Sequence, residues 1–265
     1  MNHQKAMLIV SFGTTYLSAQ KAIEQIEQTL KNQFAEYDFY RAFTSTMVIS
    51  KLKKTKNIHV DTPQEAIEKL YQAGYQEVIC QSLHIIPGIE YEKMCNQLSK
   101  YADCFEHFSI GKPMLYQQQD YEFVITQVMK YLPTPQNGEA LVFMGHGSEH
   151  FSNSAYSQLE NLFYFLNYPR VFVGTVEGFP TLDYIIKRLK EHHISKIYLT
   201  PFMIVTGDHA QNDLAGDGAD SWKSMLENAG FEVEVILKGL GEYPEIGELF
   251  SNHFMQSKRS PYHAN

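Results

Sequence analysis

Three residues in the second half of the chain have types and spacing that suit a metal ion. His146 ends the apolar run ALVFMGHGSEH (residues 140–150) and stands between two glycines, and Glu177 and His209 each follow a further apolar run. Two imidazoles and one carboxylate are ligands for a borderline divalent metal with open coordination positions. Spacing alone leaves open the alternative that these are three unrelated polar residues of loops.

The first half of the chain begins with a similar stretch but lacks the histidine. In AMLIVSFGTTY (residues 6–16) the apolar run again leads to a glycine, and alignment of Gly13 with Gly147 places Phe12 where the second half has His146. An imidazole can bind a metal or accept a proton near neutral pH, whereas a phenyl ring can do neither. The comparison predicts that the second half carries the chemistry.

Two further pairs of segments indicate an internal repeat. EVICQSLHIIPGIEYEKM (residues 77–94) resembles KIYLTPFMIVTGDHAQNDL (residues 196–214), and RAFTSTMVISKLKK (residues 41–54) is a weaker counterpart of GTVEGFPTLDYIIKRLK (residues 174–190). When Gly88 of the first pair is aligned with Gly207, Glu90 aligns with His209 and His84 aligns with Met203.

Apolar periodicity predicts strands and helices that alternate in both halves. Strands are predicted over residues 6–11, 38–43, 77–83, 108–115, 141–145, 170–175, 196–203 and 232–237. Helices are predicted over residues 19–33, 63–73, 90–101, 158–167, 181–192, 212–228 and 246–256. Thr62 and Glu65 form the pattern of a capping box, with Pro63 at the first helical position.

This alternation predicts an α/β fold with two similar doubly wound domains, each built on a parallel sheet. The loop LPTPQNGE (residues 132–139) suggests a boundary that gives an N-terminal domain over residues 1–133 and a C-terminal domain, with the metal site, over residues 134–265. Ligands of such folds bind beyond the carboxyl ends of the strands, where His146, Glu177 and His209 are expected.

Composition narrows the classes of function. A net charge of −8 argues against a nucleic-acid partner. No segment has the length of a membrane span and the opening apolar run is too short for a signal peptide, so we expect a cytoplasmic protein. The three cysteines fit no zinc or CxxC spacing. The composition is compatible with a homo-oligomer.

Other polar groups are weaker candidates. Backbone N–H groups near Ser11 and Thr14, in SFGTT, could hold an anion, but the stretch lacks the lysine of a P-loop and any GxGxxG spacing. His84, Glu90 and Glu92 could form a second polar cluster in the first half, with a structural role as an equal alternative. The basic stretch KLKKTK (residues 51–56) is either a solvated helix end or an attractor of acidic ligand groups.

The motifs together resemble a known family. VSFGT, RAFTS, DTPQEAIEKL, VFMGHGS, GTVEGFP and GDHAQNDLAGDGADSWK are similar to segments of the anaerobic sirohydrochlorin cobaltochelatases of cobalamin biosynthesis, which belong with ferrochelatase to the class II chelatases. The resemblance runs from about Met7 to about Phe254, and MGHG together with GDHAxND is specific. After Glu177 this chain reads GFP, whereas the resemblance leads us to expect a small polar residue and an aromatic residue.

The resemblance implies a fold, a reaction and a ligand set. The fold would be two α/β domains with a cleft between them, with the terminal helix packed on the first domain. The reaction would be ATP-independent insertion of Co²⁺ into the tetrapyrrole sirohydrochlorin, and the metal ligands would be His146, Glu177 and His209. His146 would also accept a proton, and we count His146 and Glu177 as catalytic. The alternatives are a ferrochelatase or nickel chelatase that uses Fe²⁺ or Ni²⁺, and a non-catalytic tetrapyrrole or metal carrier.

The resemblance also directs attention to residues that could hold the substrate. Sirohydrochlorin carries eight carboxylates, so donors are expected around it despite the negative net charge; Lys51 and Lys53 are two candidates. Phe12 is expected to form an apolar wall against the macrocycle. The full set of substrate-binding residues expected is Ser11, Phe12, Thr14, Arg41, His84, Glu90 and Met203.

Overall fold

Eight strands form two parallel sheets in the computed structural model, which describes residues 4–259. The strands are β1 (Lys5–Ser11), β2 (Asp38–Phe43), β3 (Glu77–Ser82), β4 (His107–Gly111), β5 (Glu139–Gly147), β6 (Val171–Glu177), β7 (Lys196–Phe202) and β8 (Glu232–Val235). The sheets have the orders β2-β1-β3-β4 and β6-β5-β7-β8, and every pairing is parallel. The predicted α/β class with two similar parallel sheets is confirmed.

Helices connect these strands. They are α1 (Leu17–Gln33), α2 (Thr46–Lys56), α3 (Pro63–Gln72), α4 (Ile89–Leu98), α5 (Gln118–Val128), α6 (Ser154–Phe165), α7 (Leu182–Glu191), α8 (Trp222–Asn228) and α9 (Pro244–Arg259). Short 3₁₀ turns cover Ser99–Cys104, Phe151–Asn153 and Leu240–Glu242, and a π-helical turn covers Ala210–Leu214. The predicted capping box at the start of α3 is confirmed.

The central strands are apolar along their whole length because both of their faces are covered. From Ala6 to Val10 in β1, and from Ala140 to Met144 in β5, no residue is more than 1% exposed. Strands of a parallel sheet with helices on both faces have this continuous apolar pattern. The first residues that leave the core are therefore those at the carboxyl ends of these strands.

The chain divides into two compact units whose limits differ from the predicted domains. Within the described residues, unit 1 extends to Tyr116 and resumes at Pro244, and unit 2 comprises Gln117–Tyr243. In unit 1, α3 and α4 cover one face of the sheet. Helix α9 packs on α1 in this unit, where Phe254 stacks against Phe34 at 4.4 Å and meets Tyr37 at 5.3 Å. The terminal helix thus packs on first-half residues, as the resemblance implied.

Unit 2 has its own core on each side of its sheet. Helices α7 and α8 cover one face, where Trp222, Ile185 and Leu189 belong to a single apolar cluster. Helix α6 covers the other face, and the ring of Phe163 lies 5.3 Å from that of Phe143 in β5. Helix α5 contacts α6. The boundary therefore falls at residues 116/117 rather than 133/134, because α5 packs with the second sheet and α9 with the first.

Three segments differ from their predicted structure. Helices α2 and α5 were not predicted, although Tyr121, Val124 and Ile125 of α5 have helical spacing and are buried. The helix predicted over residues 212–228 is interrupted: the π-helical turn ends at Leu214, and α8 begins only after Ser221, whose side chain caps it. Gly216 lies in the interruption, where a Cβ atom would come within 2.4 Å of the Asn212 carbonyl oxygen.

No helix in residues 4–259 is both long enough and apolar enough to cross a membrane.

Candidate functional site

His146 lies at the carboxyl end of β5, between two glycines that permit close packing. Gly147 pairs in register with Glu177 of β6 and has a φ of +82°, a conformation that favours glycine. A Cβ atom on Gly147 would lie 1.6 Å from the carbonyl oxygen of Glu177, and one on Gly145 would lie 2.3 Å from the ring of Tyr156. The glycines therefore allow the ends of β5 and β6 to approach closely, which brings His146 beside Glu177.

The equivalent glycine of the first half adopts the same conformation. Gly13 has a φ of +89°, and a Cβ atom there would lie 2.5 Å from the ring of Phe43. The alignment of Gly13 with Gly147 therefore corresponds to a real similarity of backbone. Phe12, which precedes Gly13, is 47% exposed and is therefore not part of the core.

His209 reaches the same edge of the second sheet from the segment after β7. It immediately precedes the π-helical turn Ala210–Leu214, a deviation from α-helical geometry that is frequent at functional sites. Its ring meets the ring of His146 edge to face, with centroids 4.5 Å apart. The side chains of His146 and His209 are 40% and 37% exposed, so both imidazoles are accessible to a ligand.

The contacts of both imidazoles assign their hydrogens. The Nδ1 atom of His209 lies 2.5 Å from Oδ2 of Asp213, and the Nδ1 atom of His146 lies 3.0 Å from the carbonyl oxygen of Gly147. Carboxylates and carbonyls only accept hydrogen bonds, so each Nδ1 carries the proton. Each neutral imidazole therefore keeps its lone pair on Nε2, which is the atom that can bind a metal or accept a proton.

Glu177 is a neighbour of the histidines but does not share an ion-binding centre with them. Its Oε2 atom lies 3.9 Å from Nδ1 of His146, on the side of the ring that carries the hydrogen. Within residues 4–259, no group of three or more His, Cys, Asp or Glu side chains is arranged to hold a metal ion. The side chain of Glu177 is 58% exposed, so it has the freedom to rotate toward a metal on the Nε2 atoms.

Asp213 is a functional candidate that the sequence analysis missed. It stands four residues after His209 within GDHAQND, a spacing that brings side chains together on one helical face. A carboxylate that accepts the Nδ1 proton of a ligating histidine fixes its tautomer and orientation. The i, i+4 spacing of a histidine and an aspartate was a usable signal for this contact.

Several of the first-half candidates are buried or hydrogen-bonded within the fold. Ser11 and Thr14 are buried, and Thr14 Oγ1 accepts a hydrogen bond from the backbone of Tyr16. Glu90 lies in the first turn of α4. In unit 2, Met203 is 8% exposed and belongs to the apolar cluster under α7 and α8, so its side chain is part of the core.

Arg41 was expected to bind substrate carboxylates, but its guanidinium has an internal partner. Its Nε and Nη2 atoms both donate to the carboxylate of Glu27, which is 1% exposed. These hydrogen bonds raise the pKa of Arg41 above its ordinary value. The pair neutralises a buried carboxylate, which is a structural reason for an arginine at this position. Lys51 and Lys53, in contrast, lie exposed on α2.

His84 lies in a small polar cluster at the end of β3. Its Nδ1 atom is 2.8 Å from Ser82 Oγ and its Nε2 atom is 3.4 Å from Thr44 Oγ1. Burial lowers the pKa of His84 to about 4, which keeps the imidazole neutral at ordinary pH. The partners of His84 are therefore hydroxyl groups rather than the carboxylates of Glu90 and Glu92 that the sequence suggested.

Comparison with known proteins identifies the class of protein that has this fold and these motifs. Residues 5–259 match the model of the cobalt chelatase (CbiK) family. Sirohydrochlorin cobaltochelatase of Salmonella typhimurium is 39% identical over 255 residues, which cover 96% of each chain. Sirohydrochlorin cobaltochelatase CbiKC of Nitratidesulfovibrio vulgaris is 31% identical over 253 residues, which cover 94% of this chain and 89% of that protein. The chain belongs to the cobalt chelatase (CbiK) family.

Solved structures agree with this assignment at the level of fold. SirB from Bacillus subtilis, solved with Fe³⁺, is similar at a TM-score of 0.66 and 16% identity, with 96% of this chain and 95% of that chain covered. CbiX, described as the terminal enzyme of siroheme biosynthesis in denitrifying bacteria, is similar at a TM-score of 0.54 and 17% identity, with 96% and 99% covered.

Proposed function

We propose that this chain catalyses the ATP-independent insertion of Co²⁺ into sirohydrochlorin, with His146, Glu177 and His209 as the residues that deliver the metal. The observation that carries the proposal is the adjacency of His146 and His209 at the carboxyl edge of the second sheet, with Glu177 beside them. Membership in the cobalt chelatase family and two relatives named for this reaction support the substrate and the metal.

The reaction sets clear requirements on the protein. A free-base tetrapyrrole offers four ring nitrogens, two of which carry protons. Insertion breaks two N–H bonds, forms four bonds from nitrogen to the metal, and transfers two protons to bases. The protein must present a partly dehydrated metal to one face of the ring and supply a base close to that face. Neither requirement consumes ATP.

The ligand set meets the first requirement. The Nε2 atoms of His146 and His209 and an oxygen of Glu177 would hold Co²⁺ from one side and leave positions open for the macrocycle. The carboxylates of Glu177 and Asp213 place negative charge beside the two imidazoles, which favours a divalent cation. Nitrogen and oxygen ligands accept Fe²⁺ and Ni²⁺ as well, so the choice of Co²⁺ rests on the family.

His146 can meet the second requirement only after it releases the metal. Its Nδ1 atom donates to the Gly147 carbonyl, so Nε2 is the single nitrogen with a lone pair. This atom holds either the metal or a pyrrole proton at any moment. We therefore propose that the metal passes from His146 to the ring first, and that the freed Nε2 atom then takes one of the two pyrrole protons while the other passes to water.

Activity of the purified protein tests this proposal directly. Protein, sirohydrochlorin and Co²⁺ are mixed without ATP, and the absorption change of the macrocycle is compared with the uncatalysed rate. Parallel assays with Fe²⁺ and Ni²⁺ rank the metals. We expect acceleration with Co²⁺ and no stimulation by ATP. Tight binding of sirohydrochlorin or Co²⁺ without acceleration would instead identify a carrier.

A further inference from the structure

One side chain joins the two loops that follow His146 and Glu177. Asn153, in the short turn before α6, accepts a hydrogen bond from the backbone N–H of Ser148 at 3.0 Å through Oδ1. Its Nδ2 atom donates to the carbonyl oxygen of Phe179 at 2.5 Å. The first contact lies two residues after His146 and the second two residues after Glu177.

The contacts around Asn153 are tight. A Cβ atom on Gly178 would lie 2.8 Å from the Ser148 carbonyl oxygen and 3.1 Å from Asn153 Nδ2. Gly178 also has a φ of +94°, so a glycine is needed there for backbone conformation as well as for space. The loop after Glu177 therefore passes directly against the loop after His146, with the amide of Asn153 between them.

The position of Asn153 between these two loops gives it a role in the proposed metal site. The β5–β6 pairing reaches its last residue pair at Gly147 and Glu177, and the side chain of Glu177 is largely exposed beyond that point. The segment after Glu177 is held by the bond from Asn153 to the Phe179 carbonyl and by bonds from the N–H and Oγ1 of Thr175 to the Pro180 carbonyl oxygen. The Asn153 contacts tie this segment to the loop after His146, so their loss should let Glu177 shift relative to His146 while the buried part of β6 stays in place.

We infer that Asn153 is a positioning residue that sets the placement of Glu177 relative to His146 and thereby the affinity for Co²⁺. The inference rests on the proposed function, because it takes Glu177 and His146 as ligands of the substrate metal. Groups that orient metal ligands usually change metal affinity by about 10- to 100-fold when they are removed. Asn153 makes its two contacts with backbone atoms, so its effect should be transmitted through Glu177.

A double-mutant cycle tests this route. The dissociation constant of Co²⁺ alone is measured by calorimetry for the wild type, Asn153→Ala, Glu177→Gln and the double variant. We expect Asn153→Ala to weaken binding by about tenfold in the wild-type background and by less than about twofold in the Glu177→Gln background. Asn161→Ala is the matched control, because Asn161 lies on α6 and its amide bonds only locally, to the Ser157 carbonyl at 2.9 Å.

A second variant distinguishes the contact with Ser148 from the contact with Phe179. It also provides a test if Asn153→Ala fails to fold. Asn153→Asp keeps an acceptor for Ser148 but puts an oxygen opposite the Phe179 carbonyl, so it should weaken Co²⁺ binding at least as much as alanine does. Wild-type affinity in both variants, or an equal loss in both backgrounds of the cycle, would overturn the inference. If Glu177→Gln alone binds Co²⁺ as the wild type does, the proposed metal site itself is contradicted, and the inference falls with it.

Discussion

The rings of His146 and His209 lie 4.5 Å apart, centroid to centroid, with their planes at 85°. Strands β5 and β7 are neighbours in the sheet and pair as far as Gly145 and Phe202, so both histidines leave the sheet at the same edge. With both Nδ1 atoms directed at acceptors, each of the two neighbouring imidazoles keeps its Nε2 atom for a ligand.

The first prediction is that Co²⁺ completes this site. Crystals soaked in Co²⁺ should show the ion bound to Nε2 of His146 and of His209 and to an oxygen of Glu177, at about 2.0–2.2 Å by analogy with zinc. Glu177 must rotate from its position near Nδ1 of His146 to reach the ion. Cobalt bound elsewhere, with these side chains unchanged, would contradict the site.

The second prediction concerns the contact between Asp213 and His209. Asp213→Asn keeps an oxygen that can accept the Nδ1 proton but removes the negative charge beside His209, so the tautomer should be retained while Co²⁺ affinity falls by about tenfold. Nitrogen chemical shifts of the imidazole report the tautomer, and calorimetry reports the affinity. Asp217→Asn is the control, since Asp217 is 97% exposed and pairs with Lys223 instead. Unchanged Co²⁺ affinity in Asp213→Asn would disprove this role.

The third prediction separates two reasons for a glycine at position 147. Gly230 also has a positive φ, +98°, but a Cβ atom there would meet nothing within 4 Å. Gly230→Ala should therefore cost only the strain of a left-handed conformation, about 1–2 kcal/mol. Gly147→Ala adds a clash with the carbonyl of Glu177 and should cost clearly more free energy of unfolding, measured in urea. If both variants lose the same free energy of unfolding, then the ends of strands β5 and β6 can move apart without an energetic penalty.

Much of the fold followed from sequence pattern, because the buried strands are continuous apolar runs and the repeat revealed the shared plan. Helix α5 was not predicted, although its apolar residues have regular helical spacing, because no recognisable motif lies beside it. Its assignment to unit 2 depends on packing against α6, a contact between distant residues that periodicity does not encode. The unit boundary was misplaced for the same reason.

The candidate site was also predictable from the sequence only in part. His146, Glu177 and His209 were found because motifs and strand ends point to them, and the structure brings them together as neighbours. The engagement of Arg41 with Glu27 was not foreseen, since Glu27 lies fourteen residues away on a different element. Asn153 was not foreseen either, because its role depends on two loops whose approach only the folded chain reveals.

The fourth prediction follows from the lowered pKa of His84. Between about pH 4 and its ordinary pKa of 6.5, His84 binds fewer protons in the folded protein than in the unfolded chain. Stability must therefore fall as the pH falls through this window, by about 2 kcal/mol near pH 5 from this residue. His84→Gln should remove that part of the slope, as measured by urea unfolding at several pH values. Parallel curves for the two proteins would show that burial does not suppress protonation.

The fifth prediction tests why the second half has a histidine where the first has a phenylalanine. His146→Phe should fold nearly as well as the wild type, because position 146 lies at an exposed strand end and Phe12 occupies the equivalent place in unit 1. Sirohydrochlorin should still bind, since an aromatic face remains. Insertion of Co²⁺ should fall by at least about 10²-fold, the usual cost of losing a positioned base.

His84→Phe is the matched control for that experiment, with the absorption assay as the measurement for both variants. His84 has hydroxyl partners and no assigned ligand role, so its replacement should reduce stability through lost hydrogen bonds but reduce the insertion rate far less. Wild-type insertion by His146→Phe would refute the assignment of base and ligand. Equal loss of rate in a folded His84→Phe protein would instead place essential chemistry in the first half, where the imidazole of His84 would have to serve as a base.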